Sequence, residues 1–245
     1  MKSIVPNSLT ALNLFCGCVA VLSFLGEDYL FGVILVLVAA IADFLDGLVA
    51  RLLKVQSELG KQLDSLADMV SFGFVPGVIV FKALTINFDL NRSYLSGISN
   101  EYYIPLSGFL ITVFSGLRLA KFNIDTRQSV SFIGLPTPAN TLFFLTIPLI
   151  WIYETPESWA YELTLNKPLI IGLTLVFSYL LIAEIPLLAL KFKGFRIKEN
   201  IYRYILIILG LFLALILQHL AIPVILTLYL LVSVIENITK RKEKN

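Results

Sequence analysis

Four aspartates, Asp43, Asp46, Asp64 and Asp68, stand close together in the stretch ADFLDGLVARLLKVQSELGKQLDSLADMVSFG, residues 42–73. Asp43 and Asp46 are three residues apart and Asp64 and Asp68 four apart, so on helices each pair shares a face. Oxygen donors with neither histidine nor cysteine beside them suit a hard divalent ion, Mg²⁺ or Mn²⁺, and four carboxylates are enough to hold two ions. Gly47 and Gly60 put bare backbone beside the two pairs, where either a ligand or a neighbouring helix must come close. Arg51, one turn past Gly47, is placed either to reach a phosphate at such a site or to anchor its helix at a membrane interface. Metal-bound carboxylates with an arginine describe phosphoryl transfer or pyrophosphate binding.

The segments that carry these groups are built for lipid. Of 245 residues, 58% are hydrophobic and 15% charged, and the mean hydropathy is +0.86; a water-soluble domain carries roughly 45–50% apolar and ~25% charged residues. Apolar runs long enough to cross the bilayer as helices fall near 8–26, 28–50, 62–84, 101–121, 136–153, 168–190, 202–218 and 220–237. An all-α polytopic membrane protein of about eight transmembrane helices is expected, with both termini on one side. The last two runs are separated only by Gln218-His219 and Pro223, which predicts a tight hairpin. No A-x-A-like site follows the first run, so it is read as a retained span. Cys16 and Cys18, two apart on a helix, point to different faces and are read as packing residues.

Basic residues set the orientation. Lys2, Arg51, Lys54, Lys61, Lys121, Arg127, Lys191, Lys193, Arg196, Lys198, Arg203 and the KRKEK tail fall on one side, and only Arg92 and Lys167 in the opposite loops. By the positive-inside rule the first side is cytoplasmic. The opposite loops are acidic, as in GEDY and YETPESWAYE, and Trp151 and Trp159 flank the second as interface anchors. The segment FKGFRIKEN, 192–200, is either a topology-setting loop or a contact for anionic headgroups. A net charge of +2 argues against nucleic acid as a partner. One membrane domain over 1–190 is expected, followed over 191–245 by a basic cytoplasmic loop, the transmembrane hairpin and a basic tail.

An aspartate at the centre of a span costs about 2.5–3.5 kcal/mol, so four of them point to function. The two pairs flank a short cytoplasmic turn and can face each other at similar depth. Asp64 lies near a helix N-terminus, which favours an anion, whereas Asp43 and Asp46 lie toward a C-terminus and need a cation. A transporter of divalent cations or protons is the rival reading from a different class; its acidic groups are expected at the midplane on broken helices. The single histidine, His219, falls at the opposite face and cannot serve this site.

Asp43-x-x-Asp46-Gly47-x-x-Ala50-Arg51, eight further residues, then Gly60-x-x-x-Asp64-x-x-x-Asp68 resembles the D-x-x-D-G-x-x-A-R-x₈-G-x-x-x-D-x-x-x-D signature of the CDP-alcohol phosphatidyltransferases at every fixed position. PNSLTALN at 6–13 is similar to that family's P-N-x-x-T-x-x-N opening. SFGFVPG (71–77), GLRLAKFN (116–123) and FIGLPTPAN (132–140) resemble segments of its phosphatidylserine synthase branch, with Lys121 where arginine is commoner. The resemblance implies six helices around a polar cavity open to the cytoplasm, in a homodimer of the cytoplasmic membrane. It implies that Asp43, Asp46, Asp64 and Asp68 hold two Mg²⁺ or Mn²⁺ ions that grip the pyrophosphate of CDP-diacylglycerol. Pro6, Asn7, Ser8, Leu9, Thr10, Asn13, Gly47, Arg51, Ser57 and Gly60 would bind that substrate, and Asp68 would also be the general base.

The expected reaction moves the phosphatidyl group from CDP-diacylglycerol to the hydroxyl of L-serine, giving phosphatidylserine and CMP. A sister enzyme using glycerol phosphate, inositol phosphate or choline is the nearest alternative. Serine's carboxylate asks for a cation, and Arg118 and Lys121, three apart, are either that cation or snorkelling topology charges. Ser71 and Asn123 are candidates to orient the amine. Glu184, expected inside the sixth span, either meets the ammonium or pairs with a basic neighbour.

Overall fold

The computed structural model describes residues 3–55, 57–86, 100–125, 132–188 and 197–242. In lipid every backbone polar group must be satisfied within the chain, and these apolar runs meet that demand by coiling. The helices are α1 (Ile4–Leu25), α2 (Tyr29–Leu53), α3 (Glu58–Asp68), a π-helical segment (Met69–Phe74), α4 (Val75–Thr85), α5 (Asn100–Leu106), α6 (Phe109–Ile124), α7 (Thr137–Tyr153), α8 (Trp159–Leu165), α9 (Lys167–Ile182), α10 (Ile197–Leu217) and α11 (Ala221–Lys242). Two short strands, β1 (Phe132–Ile133) and β2 (Pro186–Leu187), pair antiparallel. The chain is an all-α polytopic membrane protein. Five helical segments are long and apolar enough to cross a bilayer: 4–25, 29–53, 58–85, 103–124 and 200–237. α8 and α9 pass the same test as one pair bent by 74°.

The segment 200–237 folds back on itself. Gln218 takes a positive φ of 49° at the short 3₁₀ turn Gln218–Leu220. Tyr202 on α10 then meets Thr239 on α11, 3.4 Å from hydroxyl to hydroxyl, and Arg203 meets Glu236 at 3.9 Å between two buried side chains. This is the hairpin expected from the Gln218-His219 break. The basic residues of 191–196 lie outside the described residues, as do Arg92 and Arg127.

The sixth apolar run departs from expectation. Its helix ends at Ile182 instead of continuing to 190, because Pro186 disfavours helix at the preceding Ile185 and removes a donor. Residues 183–188 are extended, and β2 pairs with the strand that leads into α7. Glu184 therefore lies past the helix end and is exposed.

Caps set the turn between the two aspartate-bearing helices. Lys54 adopts a left-handed φ of 53° and closes α2, and Ser57 Oγ accepts from Gly60 N at 3.0 Å to open α3. Only 54–57 separate the helices, so both aspartate pairs sit at one end of the bundle. At the other end Lys82 of α4 donates to Glu27 at 2.7 Å, and Tyr29 of α2 packs on Trp151 of α7 with ring centroids 4.8 Å apart. The Lys82 hydrogen bond and charge hold the Glu27 carboxyl below its ordinary value. Any stability from this exposed tie is thus present at neutral pH and is lost as pH falls through that lowered value. His219 lies at this end too, 3.2 Å from Glu154, far from the aspartates.

Candidate active site

Asp43 on α2 and Asp64 and Asp68 on α3 offer carboxylate oxygens that all lie within 4.8 Å of one another. Like charges that close repel by about 3.5 kcal/mol per pair at an effective dielectric of 20. Such a group is stable when a cation sits among it. The donor set is all oxygen, and Asp68 Oδ1 is buried, so the residues fit a hard divalent ion. Asp46 is outside this threesome. It is buried, and its Oδ2 accepts from Thr10 Oγ1 of α1 at 2.5 Å.

Above the carboxylates is a cavity of about 850 Å³, framed by α1, α2, α3 and the end of α6. Of the residues singled out in the sequence, Pro6, Asn7, Thr10, Asp46, Gly47, Arg51, Ser57, Gly60 and Asp64 line it. Ser8 and Leu9 are not among its walls; Ser8 faces outward. Asn13 sits a turn deeper on α1, fully buried beside Asp68. Arg51 donates through Nε to Gly47 O at 2.9 Å, which holds its guanidinium over the cavity wall. A β-carbon added at Gly47 would meet nothing within 4 Å. Of the two readings of that glycine, the structure leaves open approach and not helix packing. At Gly60 a β-carbon would come to 3.1 Å from Ser57 Oγ and 3.3 Å from Asn7 Oδ1, so this glycine lets α1 and α3 close the cavity floor.

The proposed acceptor residues separate. Arg118 is buried and is an electrostatic neighbour of Asp68, whereas Lys121 is exposed. Ser71 Oγ donates to Asn13 O at 2.9 Å inside the α1 contact, where Gly17 leaves no room for a side chain. Asn123 donates to Ser65 Oγ at 2.9 Å and its carbonyl accepts from Lys61, tying α6 to α3. Sequence reasoning missed the cavity walls Ala50, Val55, Glu58, Lys61 and Phe122. It also missed Ser115, Thr137 and Asn140, which are buried and carry unpartnered polar atoms. The signal for the last two was the polar pair within TPAN at the start of an otherwise apolar helix.

A family model described as CDP-alcohol phosphatidyltransferase matches residues 3–182, from the first residues of α1 to the end of α9. The chain belongs to the CDP-alcohol phosphatidyltransferase family. The phosphatidyltransferase match stops before the α10/α11 hairpin. A CDP-diacylglycerol–serine O-phosphatidyltransferase of Helicobacter pylori (strain ATCC 700392 / 26695) is 30% identical over 234 residues, covering 94% of this chain and 89% of the relative. The Bacillus subtilis (strain 168) protein of the same name is 31% identical over 138 residues, 55% of this chain and 69% of its own. An archaetidylserine synthase of Methanothermobacter thermautotrophicus is 32% identical over 148 residues, 58% of each chain. This phosphatidyltransferase carries its paired aspartates on α2 and α3, across the capped turn that brings three of them together.

Proposed function

We propose that this protein transfers the phosphatidyl group from CDP-diacylglycerol to the hydroxyl of L-serine, giving phosphatidylserine and CMP. The observation that carries this is the Asp43/Asp64/Asp68 group at the foot of a cavity walled by Gly47, Arg51 and Ser57. The names of the relatives support serine as the acceptor, and so does Arg118, a buried cation beside Asp68 suited to a carboxylate.

Asp43, Asp64 and Asp68, with Asp46 on the cavity wall, would hold two Mg²⁺ or Mn²⁺ ions, which supply charge neutralisation at the pyrophosphate. Arg51 binds a phosphate oxygen of the nucleotide, and the bare backbone at Gly47 lets the pyrophosphate lie against α2. Asp68 takes the proton of the serine hydroxyl as its oxygen attacks the phosphorus bearing diacylglycerol. The phosphorus–oxygen bond to CMP breaks, and CMP leaves with its charge matched by Arg51. Thr10 fixes Asp46 through its hydrogen bond, so the α1 opening positions the acidic face as well as lining the cavity.

The reading includes a homodimer in the cytoplasmic membrane, with eight crossings, both termini and the site facing the cytoplasm. Arg51, Lys54, Lys61 and Lys121 gather at the cavity end against Lys82 and Lys167 at the other, an excess in the sense of the positive-inside rule.

Purified protein incubated with CDP-diacylglycerol, Mn²⁺ and one alcohol at a time should release CMP with serine. Release only with glycerol phosphate, inositol phosphate or choline would reassign the acceptor, and no release with any alcohol would leave a transporter as the better reading. Gly47→Val fills the open space over α2, so the KM for CDP-diacylglycerol should rise at least about tenfold, the cost of losing one phosphate contact of ~1.4 kcal/mol. Its unfolding temperature in detergent should stay near that of the parent, because no neighbour is displaced. An unchanged KM would place the pyrophosphate elsewhere.

A further inference from the structure

Three hydrogen bonds fix what surrounds the buried side of Asp68. The π-helical segment that follows it is held by α1 through Ser71 Oγ to Asn13 O, by α6 through Thr112 Oγ1 to Gly73 O, and by α7 through Thr141 Oγ1 to Phe72 O. α4 and α7 finish at the same end of the bundle, at Glu27 and Tyr29, so α7 runs parallel to α3 and α4. Thr137, one turn before Thr141, is therefore level with Asp68, about one turn before Phe72, and Asn140 lies between. α6 runs the other way, with Thr112 and Ser115 against Gly73 and Asn123 at Ser65, which brings Arg118 down to the level of Asp68.

Around Asp68, where Asn13 is a hydrogen-bonding neighbour, four buried polar atoms make no hydrogen bond among the described residues: Arg118 Nε, Thr137 Oγ1, and Asn140 Oδ1 and Nδ2. Nine-tenths or more of buried polar groups in folded proteins are partnered, and each exception costs about 1–3 kcal/mol. Asn140 and Asn13 are completely buried. Unpartnered groups of both hydrogen-bonding senses on α6 and α7, beside one carboxylate, make a polar surface kept for a small ligand. α7 also begins here without a side-chain cap, at Pro136, so its positive end adds to Arg118. On its outer side Arg118 opens into a small cavity lined also by Lys121, Asp125 and Glu184, with room of about 30 Å³, roughly one water.

We infer that Thr137 and Asn140 of α7, with Arg118 of α6, form the slot for the amino-acid end of the acceptor and select a zwitterion. This rests on the reaction proposed above. Arg118 takes the carboxylate, and Asn140 serves both charges, its Nδ2–H groups donating to the carboxylate and its Oδ1 accepting from the ammonium. The hydroxyl of Thr137 completes the set. A single arginine among neutral amides and hydroxyls balances a neutral acceptor. A phosphomonoester, with about two negative charges, would leave one of them buried and unpaired.

The test is Asn140→Leu and Thr137→Val, each close to isosteric, in the full chain. Expected are a KM for serine raised tenfold or more, a KM for CDP-diacylglycerol within twofold of the parent, and a serine-free unfolding temperature equal or higher, since an unpartnered polar group has been removed. A serine-dependent rise in unfolding temperature in the presence of CMP should appear in the parent and vanish in Asn140→Leu. Variants that unfold at lower temperature yet keep the parental KM for serine would make these residues structural and overturn the slot. Variants unchanged in every readout would overturn it as well. If the parent itself releases no CMP with serine, the proposed reaction fails and the slot with it, a result distinct from an active parent with indifferent variants.

Discussion

Asp68→Asn should lower CMP release from CDP-diacylglycerol and serine by about 10³-fold or more, since a positioned general base contributes 10²–10⁴ and this residue also belongs to the carboxylate group. The substitution keeps the shape and one oxygen and removes the charge and the proton acceptor. The neutral Asn13 side chain beside Asp68 can bond an amide there as well as a carboxylate, so the fold has little to lose from the change. The two roles are separable in one variant. If Asp68 acts chiefly as a ligand, raising Mn²⁺ should restore much of the rate; if it is the base, saturating metal should leave the rate low and the acidic limb of the pH profile should disappear. A variant within tenfold of the parent would remove Asp68 from the mechanism.

Chelation with EDTA should abolish turnover, and either Mg²⁺ or Mn²⁺ should restore it. Three carboxylates within 4.8 Å repel one another by several kcal/mol in total without a cation between them. The same argument predicts a readout that does not depend on activity. Mn²⁺ at about a hundredfold its dissociation constant should stabilise the protein by about 2.7 kcal/mol, seen as a rise in unfolding temperature. Asp43→Asn and Asp64→Asn should blunt that rise, because each removes one of the facing charges. Full activity in EDTA, together with an unfolding temperature that Mn²⁺ does not move, would mean that the acidic group works without metal.

Much of the site was legible because it is local. Asp43 with Asp46, and Asp64 with Asp68, are spaced for one helix face each, and the turn between their helices is short enough that they must meet. The glycines and Arg51 follow from the same stretch. Arg118 comes beside Asp68, and α7 onto the π-helical segment after it, only through the crossing of α6 and α7 over that segment, and no spacing rule links residues that far apart. The π-helix itself carries no pattern that distinguishes SFGF from ordinary helix; it arises where α1, α6 and α7 each take a hydroxyl bond to its backbone or side chain. The turn between the last two helices was legible from Gln218-His219 and Pro223. The sixth run was misjudged because hydropathy does not register that Pro186 lies in it.

The sequence by itself determined the solvent, the helical class, the family and the pairing of the aspartates on helix faces, since each depends on composition or on spacing along the chain. Tertiary structure decided which three of the four aspartates converge, that Asp46 turns to Thr10, that Gly47 faces open space, and that Arg118 and not Lys121 is buried against Asp68. Those outcomes depend on the rotation and depth of one packed helix against another. Packing of side chains from distant parts of the chain sets both, and such contacts leave no periodicity in the sequence.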